Sequence, residues 1–198
     1  MKVFVATKNA WKLAELRSIF GGSQLELEAF DGYADVEETG DRYEANALLK
    51  ARALARQLRD AGISAAALAD DSGLEVSALQ GRPGVFSARY GGAAFTWPQR
   101  RALLLQELRD IEQRDARFVC TIALVEPDGR ETIALGTVEG KIGERERGSG
   151  GFGYDPIFVY PPRGCTFAEL SAQEKNAISH RRRAAKALLD SLRRSASK

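Results

Sequence analysis

Histidine is almost missing from this chain: His180 is the only one in 198 residues. A zinc centre built on several imidazoles is excluded on that count. A Ser-His-Asp triad would have to use His180, and no nucleophile-elbow sequence supports one. Cysteine is nearly as scarce, with Cys120 and Cys165 alone and no metal-type spacing between them. Cys120 sits in Phe118-Val119-Cys120-Thr121-Ile122, an expected strand, and reads as a buried thiol. Cys165 follows Pro-Pro-Arg-Gly and receives no role. So few thiols fit a reducing compartment. There is no apolar run of membrane-spanning length, and the first six residues carry no long signal-type core, so a cytoplasmic protein is expected. Charge of one sign is not in excess: 29 Lys and Arg face 27 Asp and Glu, for a formal net charge of +2. No overall field draws the chain to nucleic acid or membrane. The glycines of a P-loop are also missing.

What the chain does have is enough apolar material, 44% of residues, for a sizeable core, in one large domain or two closely joined lobes over residues 1–198. Residues 2–6 read as a strand. Residues 10–20 follow helical spacing, with Leu13, Leu16, Ile19 and Phe20 on one stripe. Residues 25–30 are a second strand. Residues 41–61 form a long helix, with Asp41 and Glu44 as a capping box and Gly62 as its stop. Residues 65–71 and 75–79 are two further strands, and 96–113 a helix capped by Thr96 and Gln99. Residues 117–125 and 131–138 flank Asp128-Gly129, a hairpin signal, and 140–147 extend it as a third antiparallel strand. A last helix runs through Ala184, Ala185, Leu188, Leu189 and Leu192, with 193–198 expected to fray. The expected class is α/β with a mixed β-sheet and flanking helices, the hairpin extending the sheet as a second lobe and leaving a cleft between the lobes.

The chemistry concentrates in a few blocks. Ala69-Asp70-Asp71-Ser72-Gly73-Leu74 closes an apolar run with two adjacent carboxylates. Like charges side by side repel and are costly to bury without a cation, so a magnesium site or a general base is indicated. Neighbours on a strand point to opposite faces, so one aspartate belongs to the site and the other is structural, paired with an arginine. Thr7-Lys8-Asn9-Ala10-Trp11-Lys12 lies between a strand and a helix start, where backbone N–H groups suit phosphate. Glu37-Glu38-Thr39-Gly40 leads into the long helix, on which Asn46 and Lys50 share a face. Gly150-Gly151-Phe152-Gly153-Tyr154-Asp155-Pro156 sets an aromatic among glycines, suited to stacking on a base. In the final block Ser171 and Glu174 form a capping box. Ser179 is a second N-cap that breaks the helix between Lys175 and His180-Arg181.

In this order, and with Pro83-Gly84-Val85 through Ser87-Ala88-Arg89-Tyr90, the blocks resemble the Ham1-type inosine/xanthosine triphosphate pyrophosphatases. The resemblance implies a long mixed sheet in two lobes with flanking helices and a nucleotide cleft between the lobes, in a homodimer. It also implies Mg2+-dependent hydrolysis of ITP, dITP and XTP to the monophosphate and pyrophosphate, clearing deaminated purines from the nucleotide pool. Carried over by motif position, Asp71 is the base and a metal ligand. Glu37 or Glu38 assists at the metal, with Glu37 preferred. Thr7, Lys8, Asn9, Ala10, Trp11, Lys12, Lys50 and Ser72 hold phosphates or sugar. Phe152 stacks on the base, flanked by Gly153 and Tyr154, while Asp155, Lys175, His180 and Arg181 read its edge. Lys8 departs from the pattern, since many members carry glycine there. Two other readings stay open at this point. One is a Maf-type pyrimidine nucleotide pyrophosphatase. The other is a nucleic-acid-binding module using Arg181, Arg182 and Arg183.

Overall fold

Along the first four residues of the central strand, alternate side chains join the same apolar cluster. In the computed structural model, which describes residues 1–196, that strand is β3 (Ala66–Val76). Its Ala66 and Leu68 pack with Val3, Val5, Leu16, Phe20, Ile122 and Leu188, while Ala67 and Ala69 pack with Phe4, Ala47, Ala51 and Leu54. Both faces of the strand are therefore covered, as parallel sheets require.

The other elements are β1 (Lys2–Val5), α1 (Ala10–Phe20), β2 (Glu26–Ala29), α2 (Tyr43–Asp60), α3 (Trp97–Glu107), β4 (Asp115–Val125) and β5 (Glu131–Ile142). They are followed by β6 (Phe158–Tyr160), β7 (Cys165–Thr166), α4 (Ala172–Ile178) and α5 (His180–Ala196). The sheet has seven strands in the order β2-β1-β3-β4-β5-β6-β7. β1 is parallel to β2 and β3, whereas β5–β6 and β6–β7 are antiparallel, so the sheet is mixed. No helix among the described residues is long and apolar enough to cross a membrane.

The chain divides into two compact units. The first holds Met1–Asp71, Cys120–Gly136 and the chain from His180 onward; the second holds Ser72–Val119 and Thr137–Ser179. The first unit buries α1 and α5 on one side of its strands and α2 on the other. The second is built on Leu74, Leu104, Leu108, Ile142 and an aromatic group. In that group the Phe118 and Phe158 rings lie 4.5 Å apart and those of Phe158 and Phe167 4.9 Å apart.

Several boundaries differ from the sequence expectation. Ser72-Gly73 is not a turn. β3 continues through it to Val76, and residues 77–79 form a 3-10 turn instead of a strand. The Ser87 hydroxyl accepts the Leu74 N–H at 2.8 Å, so the strand backbone stays bonded past the glycine. The Asp41–Glu44 box does not form: Arg42 is the extended N-cap of α2, with no side-chain cap. The Gly40 N–H is instead taken by the side chain of Asn46 at 2.8 Å, which keeps the chain extended up to the helix. α3 stops at Glu107, where buried Leu108 caps it and the chain turns at Ile111 toward β4. Residues 140–147 are not a separate strand; β5 itself runs on to Ile142 and its next neighbour is β6. α5 is helical through Ala196, so residues 193–196 belong to it, and residues 197–198 lie outside the described residues.

Other local signals held. Thr96 and Gln99 form a capping box, as do Ser171 and Glu174. α4 ends at Ile178, Ser179 is extended (φ −65°, ψ 161°), and a new helix starts at His180.

Candidate active site

The alternation along β3 sends the two adjacent aspartates to opposite sides of the sheet. Asp70 follows Ala66 and Leu68 in phase, so it faces α1 and α5. Its Oδ1 lies 3.1 Å from Lys12 Nζ, and its Oδ2 accepts from Arg181 Nε at 3.2 Å. Arg181 Nη1 also donates to Glu15 Oε2 at 3.2 Å. Asp70 is 2% exposed. Burial alone would raise its carboxyl, but Lys12 and Arg181 outweigh that and hold it well below the usual carboxylate range. Asp70 is thus a permanent anion locked between two cations.

Asp71 follows Ala67 and Ala69, so it faces α2. Its Oδ1 accepts from Lys50 Nζ at 3.2 Å and its Oδ2 from Asn46 Nδ2 at 3.2 Å. Lys50 Nζ also donates to Glu38 Oε1 at 2.8 Å. Burial, with the charge of Glu38 adding to it, raises the Asp71 carboxyl above its ordinary value even though Lys50 pulls the other way. Lys50 is shifted upward: burial would lower it, but the carboxylates of Asp71, Asp70 and Glu38 prevail, so it stays protonated. A carboxylate with raised basicity beside a fixed cation can take a proton from water.

The β1–α1 turn is organised by its own side chains. Asn9 caps α1, its Oδ1 accepting the Lys12 N–H at 3.1 Å, and the Asn9 N–H reaches Thr7 Oγ1 at 3.1 Å. Ala10 opens the helix and Trp11 is 72% exposed. Lys8 Nζ stands 3.6 Å from Asp35 Oδ2, both side chains exposed.

In the second unit the glycine turn is held from several sides. Gly151 has φ +68°, and a Cβ there would strike Asp155 Oδ2 at 2.1 Å, so only glycine lets the turn close. Asp155 Oδ2 accepts the Phe152 N–H at 2.8 Å and Lys175 Nζ at 2.6 Å. Phe152 is half-buried, with Lys175 Nζ 4.7 Å from its ring centroid. Arg101 Nη1 donates to the Gly153 carbonyl at 2.9 Å while the same guanidinium grips Glu146. Tyr154 is buried with its hydroxyl on the Ser87 carbonyl at 3.1 Å, and burial pushes its phenol up. Ser72, the first residue of this unit, is half-buried in β3.

These positions revise some expectations. Glu38 shares the Lys50 ammonium with Asp71, whereas Glu37, preferred from the sequence, is exposed. The arginine expected to pair with one aspartate is Arg181, buried among Glu15 and Asp70, because a buried guanidinium needs carboxylate partners. His180 is buried as the first residue of α5. Glu15, Asn46 and Arg101 were not among the candidate site residues. Glu15 could have been found three residues after Lys12, as a charge beside the apolar stripe of α1. The sequence places Asn46 only on a shared face with Lys50, with no role given to its amide.

The site is a buried carboxylate, Asp71, raised in basicity and held by Asn46 and by a lysine that Glu38 shares, in a mixed α/β chain. The pattern of the Ham1 family matches residues 3–191, and the chain belongs to that family. A dITP/XTP pyrophosphatase of Exiguobacterium sibiricum is 45% identical over 193 residues, covering 95% of each chain. One of Geobacter sulfurreducens is 46% identical over 196 residues, covering 96% of each. Among solved structures, the Coxiella burnetii HAM1 protein matches with a TM-score of 0.87 at 40% identity, over 98% of this chain and 99% of the other. The Staphylococcus aureus Ham1 protein matches with a TM-score of 0.85 at 38% identity, over 98% and 100%. Neither the pyrimidine reading nor the nucleic-acid module finds support in these names.

Proposed function

We propose that the protein hydrolyses non-standard purine nucleoside triphosphates, dITP, ITP and XTP, to the monophosphate and pyrophosphate. The observation that carries this is Asp71: a buried carboxylate, raised in basicity, gripped by Lys50 and Asn46 in a Ham1-family chain. Water attacks the α-phosphorus and the α–β anhydride bond breaks. The proton of the water passes to Asp71 and pyrophosphate leaves with the bond electrons. Such transfer depends on alignment and charge neutralisation more than on covalent help.

The donor set suits Mg2+. Glu38 and Asp71 offer hard oxygen atoms around one point, and no group of three His, Cys, Asp or Glu among the described residues makes an all-protein metal cage. That is the pattern of an ion held by one or two carboxylates plus substrate phosphates. When bound, the ion supplies charge neutralisation on the phosphate oxygens. Lys50, Lys12, Lys8 and the capped turn at Thr7, Asn9, Ala10 and Trp11 hold phosphates, with Ser72 at the sugar or phosphate.

Phe152 stacks on the base, while Gly153 and Tyr154 shape the turn that presents it. Lys175, with Asp155 and His180, reads the base edge. A cation aimed at O6 suits hypoxanthine and xanthine. Adenine offers an amino donor there, leaving a buried donor unmatched at about 1–3 kcal/mol. Arg181 we assign to holding Asp70 in place. The protein is read as a cytoplasmic homodimer, a single two-lobed domain.

Incubation of the purified protein with dITP and Mg2+, followed by chromatography, tests this directly. The expected products are dIMP and pyrophosphate, with dTTP, dUTP and ATP turned over at least tenfold more slowly. Release of orthophosphate, or a preference for pyrimidines, would overturn the reading.

A further inference from the structure

Asn46 is the fourth residue of α2, 0% exposed, with its side chain in the site rather than in the apolar core. Asparagine is a weak helix former and a poor choice for a dry interior. Its amide is fully used. Oδ1 accepts the Gly40 N–H at 2.8 Å, and Nδ2 donates to the Gly40 carbonyl at 3.2 Å and to Asp71 Oδ2 at 3.2 Å. Turning the amide over would set donor against donor at Gly40 and acceptor against acceptor at Asp71, so this orientation alone is satisfied. Gly40 completes the fit: a Cβ there would meet Asn46 Oδ1 at 2.6 Å and Ala45 Cβ at 2.9 Å.

Two residues before Gly40, Glu38 binds the same Lys50 ammonium that binds Asp71. The two carboxylates therefore approach each other from different stretches of chain, one on a strand and one on a connecting segment. The strand residue is set by the sheet. The connecting segment has no ladder to set it, and Asn46 supplies the missing backbone partner. Lysine could bridge the carboxylates alone, but its long stem would leave their separation loose.

We propose that Asn46 is a positioning residue for hydrolysis: its single amide ties the backbone at Gly40 to Asp71 and so fixes where the Glu38 carboxylate stands relative to the Asp71 carboxylate. This rests on the reading of Asp71 as the base. Asn46 acts through the two groups it aligns.

The test uses Asn46→Ser and Gly40→Ala, which disturb the clamp from its two ends. For each variant that folds as wild type by circular dichroism, kcat on dITP should fall 10- to 100-fold. KM should change less than about threefold, and the Mg2+ concentration for half-maximal rate should rise. Hydrogen exchange at the Gly40 amide should quicken in Asn46→Ser without any nucleotide present. The double variant should be no worse than the poorer single one, because both remove the same link. Wild-type kcat in a folded variant, or unchanged Gly40 exchange in Asn46→Ser, would overturn the proposal. If wild-type protein fails to hydrolyse dITP, the functional reading falls. The exchange measurement still decides the clamp.

Discussion

Lys175 Nζ sits 2.6 Å from Asp155 Oδ2 and 4.7 Å from the centre of the Phe152 ring. One ammonium thus meets a carboxylate and an aromatic face together, and the same carboxylate oxygen caps the Phe152 backbone N–H. Both charged groups are buried, so the pair holds Phe152 through a link that water does not screen. The aromatic and its cation form one piece of the proposed base site, set by the Gly151 turn.

Removing either half of that piece should weaken substrate binding more than chemistry. Base–aromatic stacking contributes about 1–3 kcal/mol per base. Phe152→Ala is expected to raise KM for dITP by roughly tenfold with kcat altered less. Lys175→Met should in addition narrow the preference for dITP over dATP, read from steady-state rates on both substrates. An unchanged KM in Phe152→Ala would remove that residue from the base site.

Asp71→Asn keeps the shape of the side chain and deletes its basicity. A positioned base contributes about 10²–10⁴-fold. We expect kcat to drop by about that factor while the thermal midpoint stays within a few degrees. Activity within threefold of wild type would show that another group takes the proton.

The two glutamates of the acidic segment should behave differently. Glu38 shares Lys50 with Asp71, whereas Glu37 is exposed. Chelation with EDTA should abolish turnover, and Mg2+ should restore it. In Glu38→Gln the restoring concentration should rise at least tenfold, and in Glu37→Gln it should match wild type. The reverse pattern would return the metal role to Glu37.

The pair on the other side of the sheet is predicted to matter for stability. Arg181 and Asp70 are both almost fully buried, and a buried charge left alone costs about 3–5 kcal/mol. Arg181→Met should lower denaturant stability by less than that amount, since Asp70 keeps Lys12. Adding Asp70→Asn should recover part of the loss, since a buried anion held by Lys12 alone is then gone. Urea unfolding of the single and double variants measures both.

Thiol chemistry offers a check on pH. Burial, with the charge of Asp70 behind it, pushes the Cys120 thiol far up, and the thiolate is the reactive form. Cys120 should therefore resist iodoacetamide in folded protein at pH 8 and equally at pH 9. Half-buried Cys165 should be labelled, as read by peptide mass spectrometry. Labelling of Cys120 at pH 8 would contradict its placement.

Much of the local structure could be read directly from residue type. Thr96 with Gln99 and Ser171 with Glu174 cap their helices as their spacing implies, since a hydroxyl and a carboxyl or amide three residues on satisfy the same first-turn donors. The break at Ser179 was legible for a similar reason. Ser72-Gly73 misled because small polar residues usually mark turns, yet here a distant serine, Ser87, keeps the strand bonded. The Asp41 cap misled in the same way, overridden by the Asn46 amide at Gly40.

The sequence by itself determined that Asp70 and Asp71 must part company, because side chains alternate along any strand. Only the folded chain decided which one meets Lys12 and Arg181 and which meets Asn46 and Lys50. Period two dictates opposite faces, but which helix covers each face depends on apolar packing between residues far apart in the chain. That Glu38 rather than Glu37 meets Lys50 has the same origin. Two neighbouring carboxylates are equivalent in composition, and only the path of the chain before α2 brings one of them to Lys50.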